Sequence, residues 1–515
     1  MLRKKLPIGI QTFREIREDN CYYVDKTAFA LSMIREGKAY FLSRPRRFGK
    51  SLFLDTLAEL FAGNEPLFRG LYCHDQWDWS VKYPVIRISF AEGVMESRAG
   101  LDERIHRILT KNERELGVAH DEGGIPDRFI SLIEAAEAKF GQRAVILVDE
   151  YDKPILDNLT RADLAIEMRN GLRNLYSVIK GQDAHIKFAF LTGVSKFSKV
   201  NIFSGLNNLA DITLSPSFSN ICGYTEADVN SVFAPELEGL NKDKIRHWYN
   251  GYNWRGDAVY NPFDLLLLFR EREFRPFWFE TGTPTFLINI LTERQVYLPA
   301  LLRTEASFRL ISAFEVGDIS TEALMFQSGY LTIVGEEELS EEIFYTLGFP
   351  NREVRSALNA TLLGAWIGSE KREGEHRMAL SRALQKNDFV RIREIFFSLY
   401  ASIPHDWYRK NDIDKFEGYY ASVFYASFAA LGFDIVPEDV SNQGKLDMAV
   451  QFNGQIYLFA FKVVDDAAEG KALAQIKEKQ YADKYRARNQ PIHLIGIEFS
   501  RQARNVVGFE VESLD

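Results

Sequence analysis

Three cysteines in 515 residues, Cys21, Cys73 and Cys222, are too few, too widely spaced and odd in number for a disulfide framework or a zinc cluster. A reducing compartment is expected, and with it a cytoplasmic location. No apolar run approaches the roughly 20 residues that cross a bilayer. The opening MLRKKLPIGI is basic but lacks the apolar stretch of a signal peptide, so no membrane partner is expected. An excess of positive charge is also missing: 63 Lys and Arg against 72 Asp and Glu leave a formal charge of −9. Any attraction to nucleic acid must therefore come from a local basic surface. Low-complexity tracts and solenoid repeats are absent as well. What is present is core material, 46% hydrophobic and 13% aromatic residues, enough for about two to four globular domains.

The segment RPRRFGKSLF, residues 44–53, departs from the phosphate-binding pattern G-x-x-x-x-G-K-[ST] at one place, where Arg44 stands for the first glycine. Gly49, Lys50 and Ser51 keep the rest. A strand-like run (Tyr40, Phe41, Leu42) precedes the segment, and Leu52, Phe53, Leu57, Leu60 and Phe61 follow at helical spacing. In such a strand, loop and helix, backbone N–H groups and the helix N-terminus surround the β-phosphate of ATP. Lys50 reaches the β/γ oxygens, and the Ser51 hydroxyl holds magnesium. Arg47 and Leu52 complete the candidate cofactor-binding set. The plain alternative is a basic turn capped by Ser51.

Two more strand ends point the same way. In RAVILVDEYDKPI, five apolar residues from Ala144 to Val148 run into Asp149 and Glu150, a buried strand ending in two carboxylates. Asp149 would join the magnesium shell and Glu150 would orient the attacking water. An ordinary acidic turn is the alternative. In KFAFLTGVSKFS the strand ends at Thr192, a position for a phosphate-sensing polar residue, with Ser195 and Lys196 beyond it. Together the three segments predict a P-loop ATPase core using ATP and Mg2+.

The chain resembles the bacterial AAA-ATPase-like proteins that carry a PD-(D/E)XK nuclease-like domain at the C-terminus. The likeness rests on LPIGIQTFREI, YYVDKT, RPRRFGKSL, ILVDEYDKPI, FLTGVSKFSKVNIFSGLNNLADITL, WYNGYNW, YNPFDLL, FWFETGTP and FQSGYLTI, which run through most of residues 6–333. Loops of that family commonly read R-P-R-R-F-G-K-S, so the absent glycine is a shared trait. Arg44, Arg46 and Arg47 are candidates for contact with phosphate, nucleic acid or a neighbouring acid, and the sequence does not choose. The implied fold class is α/β: an AAA-like P-loop core over 1–215, a helical lid or winged-helix-like region over 216–350, a helical connector over 351–410, and a restriction-endonuclease-like domain over 411–515. Trp248, Tyr249, Tyr252, Trp254, Trp278 and Phe279 are expected to pack the lid region rather than to stack on bases.

At the C-terminal end, KFEGYYASVFYASFAALGFDIV reads as a helix running into a strand, SNQGKLDMAVQFNGQIYLFAFKVV as two strands about an Asn453-Gly454 turn, and EGKALAQIKEKQYADKYRARN as a helix before the strand HLIGIEF. The resemblance implies an Asp on the first hairpin strand and a (D/E)-x-K on the next. Asp447, a metal ligand, and Lys462 fit, while the acid expected at 460 is Ala460. Strand alternation puts 460 and 462 on one face, with Phe459 and Phe461 on the buried face. The second metal carboxylate is thus missing, and the domain is expected to be nearly inactive as a nuclease, through natural degeneration or an introduced alanine. Glu417 on the preceding helix is a candidate supporting catalytic acid, or else an ordinary surface glutamate. Lys477, Tyr481, Lys484 and Arg488 would share one helical face, making Lys477, Lys484 and Arg488 candidate nucleic-acid contacts; the alternative is a solvated lysine face. The expected partner is nucleic acid, DNA in the first instance, with a homo-oligomer left open. The competing reading is an ATP-driven regulatory switch whose degenerate nuclease fold only binds nucleic acid or protein.

Overall fold

The computed structural model describes residues 3–197, 208–280, 285–294, 296–312, 319–403, 417–441 and 443–514. The chain divides into two compact units, Met1–Trp278 with Thr304–Asn351, and Phe279–Arg303 with Arg352–Asp515.

The first unit is built on a parallel sheet. Its strands are β1 (Ala39–Ser43), β2 (Val85–Ser89), β3 (Ala144–Asp149), β4 (Ile186–Gly193) and β5 (Ala210–Asp211), in the spatial order β2-β3-β4-β1-β5. The continuous apolar runs of β1 and β3 are buried along their full length, as strands covered by helices on both faces must be. Helix Lys50–Phe61 follows β1, helices Arg98–Leu116 and Ile125–Phe140 join β2 to β3, and helix Ala162–Gly181 joins β3 to β4. Because the strands are parallel, the carboxyl ends of β1, β3 and β4 open on one edge, where open α/β sheets bind ligands.

Beyond that sheet, short strands β6 (Tyr224–Thr225) and β7 (Val259–Tyr260) pair, and β8 (Thr304–Ser307), β9 (Thr332–Leu339) and β10 (Glu342–Gly348) form an antiparallel sheet in the order β8-β10-β9. Phe233, Tyr249, Leu265 and Leu268 form a core with Tyr22 and Val24 from the N-terminal segment. Of the six aromatics expected to pack here, Tyr249, Tyr252, Trp254 and Trp278 are buried and Trp248 is half-buried, while Phe279 is buried at the start of the second unit.

The second unit holds β11 (Asp434–Ser441), β12 (Gly444–Phe452), β13 (Gln455–Val464), β14 (Ile492–Ser500) and β15 (Asn505–Leu514) in sequential order. All neighbours are antiparallel except β13 and β14. That parallel pair needs a crossover, which runs through helix Lys471–Glu478 and covers one sheet face with Ala472 and Ile476. Helix Glu417–Ala430 covers the other, Phe424 meeting Phe459 at 5.2 Å and Phe461 at 5.1 Å. Helices Arg352–Ile367, Glu370–Gln385 and Phe389–Ser402 fill the stretch expected to be a helical connector. Phe396 stacks on Phe424 at 4.0 Å, so this stretch shares a core with the sheet domain.

Candidate nucleotide and nuclease sites

Arg44 explains how the loop after β1 turns without its first glycine. The side chain is 1% exposed and points into the fold. Its Nη1 donates to the carbonyls of Ser43 (2.9 Å) and Thr213 (2.8 Å), its Nη2 donates to Phe218 O (3.3 Å), and the guanidinium lies 4.3 Å from the Trp254 ring. Burial lowers its pKa to about 10, so the group is cationic at neutral pH. Pro45 packs on Gly329, where a Cβ would come within 2.6 Å of the proline ring. Arg46 and Arg47 are exposed, and Arg47 sits 4.8 Å from the Phe263 ring. Of the three arginines, Arg44 is thus structural.

The bend back into helix Lys50–Phe61 is made at Gly49, with φ 93, a conformation that costs glycine little. Lys50 is buried, its Nζ donating to Arg44 O and Pro45 O at 2.8 Å each. Burial depresses its pKa, and Asp149 is the largest charge opposing that shift. Ser51 and Leu52 occupy the first turn, half-buried. Ser51 and Asp149 line a common cleft of about 710 Å3, together with Gln11, Asp55, Arg87 and Arg104.

Asp149 ends β3, and its Oδ1 accepts the Thr192 hydroxyl from the end of β4 at 2.8 Å and the Glu150 N–H at 3.1 Å. Glu150 follows at φ 51. Burial and then the neighbouring Asp149 raise its pKa. The three strand ends therefore converge as the sequence implied. A hydroxyl and a carboxylate facing one cleft beside a buried lysine fit a magnesium nucleotide: Ser51 and Asp149 would hold the metal, and Lys50 the phosphates.

Two carboxylates of this region escape a motif-based reading. Asp152 is buried, with its carboxyl pushed up by burial against the hydrogen bonds from Ser195. Asp55, one turn into the loop helix, accepts the Phe13 N–H at 2.7 Å and pairs with Arg87 at 2.6 Å. Their partners lie 43 and 42 residues away in the chain, and no local pattern encodes them.

In the second unit, Asp447, Ala460 and Lys462 lie on adjacent strands β12 and β13. The ladder between these strands runs to Met448 opposite Phe459. Beyond it the Asp447 Oδ2 accepts the Phe461 N–H at 2.7 Å, so a side chain replaces the next backbone pairing. Burial raises the Asp447 pKa, opposed by that hydrogen bond and by Lys462. Ala460 is 0% exposed, in an apolar cluster with Leu458, Ala472 and Ile476. Phe459 and Phe461 do face a core, but the expectation of a single buried face is corrected: the face carrying position 460 is covered too.

Glu438 is the carboxylate across from Asp447 on β11, at a gap in the ladder with φ 49, and it pairs with Lys445 at 2.7 Å. Glu498, beside Lys462 on β14, is spent elsewhere. It accepts the backbone N–H groups of Glu469, Gly470 (3.0 Å), Lys471 (2.6 Å) and Ala472 (3.2 Å) at the start of the crossover helix. Burial would raise its pKa, but those four donors bring it below the ordinary range. Glu417 begins its helix, and its side chain lies outside the described residues. Among the described residues, no group of three His, Cys, Asp or Glu is placed to hold a metal. One remaining carboxylate at Asp447 does not fit a two-carboxylate nuclease metal site.

The single basic helix face is corrected. The chain leaves helix Lys471–Glu478 at Gln480, φ 49, and resumes only as the short helix Asp483–Arg486. Tyr481 turns inward, its hydroxyl on Lys445 O at 2.9 Å. Lys477 pairs with Glu512 at 2.6 Å and Lys484 with Asp439, while Arg488 rests 5.2 Å from the Tyr485 ring. No helix of the described residues is long and apolar enough to cross a membrane.

Comparison with known proteins agrees with this division of chemistry. A family model described as predicted AAA-ATPase matches residues 7–203, and one described as PD-(D/E)XK nuclease superfamily matches residues 415–509. An uncharacterized protein in the vnfD 5' region of Azotobacter chroococcum mcd 1 is 61% identical over 515 residues, covering 100% of both chains.

Proposed function

Because the chain belongs to the family of predicted AAA-ATPases that end in a PD-(D/E)XK nuclease-superfamily domain, we propose that it binds and hydrolyses ATP in its first unit and engages nucleic acid, DNA in the first instance, through its second. The observation that carries the ATP reading is the convergence of Lys50 and Ser51 after β1, Asp149 and Glu150 after β3, and Thr192 at the end of β4. Lys50 binds the β- and γ-phosphates, Ser51 and Asp149 hold magnesium, and Glu150 orients water for attack. Magnesium, when bound, supplies positive charge at the phosphates. Calorimetry of ATP with magnesium tests the assignment: Lys50→Ala should abolish binding, and equal affinity in the two proteins would overturn it.

For the second unit the favoured form of the proposal is a nuclease fold that holds nucleic acid with little or no cleavage. Ala460 in an apolar cluster and Asp447 as the remaining motif carboxylate support it. The same observation favours a second reading, an ATP-driven regulatory switch whose nuclease fold only binds nucleic acid or a protein. Metal-dependent cleavage on Ala460→Glu separates a disabled nuclease from a binding relic.

A further inference from the structure

Between Asp149 and the rest of the first unit lies a clamp that the motif roles do not use. Asp152 is 1% exposed. Its Oδ2 accepts the Ser195 N–H at 2.6 Å, the Ser195 hydroxyl at 2.5 Å and the Val194 N–H at 3.1 Å. Tyr151 adds to the clamp: its N–H donates to Thr192 O at 3.0 Å, and its hydroxyl donates to Ser195 O at 3.1 Å and accepts the Phe197 N–H at 3.2 Å. The two segments approach so closely that a Cβ on Gly193 would fall 2.5 Å from Asp152 Oδ1 and 2.6 Å from the Tyr151 ring. A buried carboxylate held by three donors on a facing loop fixes that loop far more tightly than backbone contacts alone, because charge-assisted hydrogen bonds strengthen out of water.

The fixed loop begins at Val194, two residues after Thr192, whose hydroxyl holds Asp149. The clamp also brackets Glu150, which sits at φ 51 between Asp149 on one side and Tyr151 and Asp152 on the other. A glutamate at positive φ persists only where its neighbours over-determine the backbone. We infer that Asp152, through Ser195, is a positioning residue for the hydrolytic step: it holds Thr192 and Glu150 in register with Asp149 without touching nucleotide. This rests on the ATPase reading above. Lys50 and Ser51 open the helix after β1 and reach the clamp loop only indirectly, the Arg44 N–H donating to Gly193 O at 3.1 Å and the Ser43 hydroxyl to Val194 O at 2.8 Å, so the clamp should act on turnover more than on binding.

The test uses the full chain, with wild-type turnover measured first. Asp152→Asn removes the charge and turns one of the two carboxylate oxygens into a donor, which at the Oδ1 place faces the Val194 N–H, and Ser195→Ala removes one hydroxyl. The dissociation constant for a non-hydrolysable ATP analogue with magnesium should stay within about threefold of wild type, whereas kcat should fall by about 10–100-fold in Asp152→Asn, the usual effect of losing such a supporting partner. Ser195→Ala should show a smaller fall with the same split. If Asp152→Asn fails to fold, Ser195→Ala alone decides. Wild-type kcat in the folded variants, or equal losses of affinity and kcat, would overturn the inference while leaving the ATPase reading in place. Absence of turnover in the wild type would remove the reading itself, and the inference with it.

Discussion

Replacing Ala460 with glutamate puts the second unit under a strain that can be calculated in advance. The alanine is fully buried between β12, β14 and the crossover helix, with Leu458, Ala472 and Ile476 around it. Forcing a longer side chain into such a site costs about 1–3 kcal/mol. An unpaired carboxyl there costs about 1–3 kcal/mol more. Lys462, two residues along the same face, recovers part of the second cost, giving a net loss of about 2–4 kcal/mol and a fall in melting midpoint of about 5–15 °C for a unit of this size. If the introduced carboxylate and Asp447 then share a metal, manganese at about a hundredfold excess over its dissociation constant should return about 2.7 kcal/mol, in the variant and not in the wild type. The assay pairs melting curves with and without manganese with incubation on single-stranded DNA, double-stranded DNA and RNA, each with and without ATP. Cleavage that needs the metal and disappears when Asp447→Ala or Lys462→Ala is added to the variant is the expected result. A folded variant that manganese does not stabilise and that cuts no substrate would refute the reasoning and leave the domain a binding module.

Glu150→Gln should keep ATP affinity and lose turnover by about 10²–10⁴-fold, the range for a group that handles the attacking water's proton; a single-turnover assay reads it. Converting Lys477, Lys484 and Arg488 to alanine should lower the salt slope of DNA binding by about one or less, well short of the nearly three expected of free phosphate contacts, because both lysines already pair with carboxylates; a titration in rising salt checks this. Burial beside Ser427 and Phe396 holds the His376 imidazole down to about 4, against an ordinary 6.5. The unfolded chain therefore binds the extra proton first, and stability is full above about pH 6.5 and lost as pH falls toward 4, by about 3 kcal/mol in all. Denaturant unfolding should show that loss, and His376→Gln should flatten it.

The strand ends were legible because each is local: an apolar run stops at a residue whose chemistry differs sharply from it, and a parallel sheet then brings such ends together. Asp149 and Thr192, 43 residues apart in the chain, meet for that reason. The same locality made the sequence silent about Asp152 and Asp55, whose donors combine backbone groups that any residue supplies with side chains, Ser195 and Arg87, that lie far away in the chain. It also misled at the basic stripe. Lys477, Lys484 and Arg488 have helical spacing, but helical spacing holds only while the helix does, and Gln480 ends it. The burial of Ala460 was hidden for a related reason, since alternation assigns a residue to a face without saying what covers that face. The last strand, Asn505–Leu514, pairs with β14 in a run that carries Glu510 and Glu512 on a sheet edge, too polar to be read as part of a core.

Arg44 has a consequence for how the first unit can be cut. Its guanidinium rests on the carbonyls of residues 213, 218 and 219 and on the ring of Trp254, all downstream of the residues 7–203 that the ATPase family model matches. A fragment ending at 203 would keep every phosphate-loop motif residue while stripping the arginine of its seat. With only the Ser43 carbonyl left and its cover gone, the guanidinium would turn to water and no longer hold the turn, so in that fragment the loop would open. Nucleotide binding should therefore need the chain through at least Trp254, even though the last motif residue is Thr192.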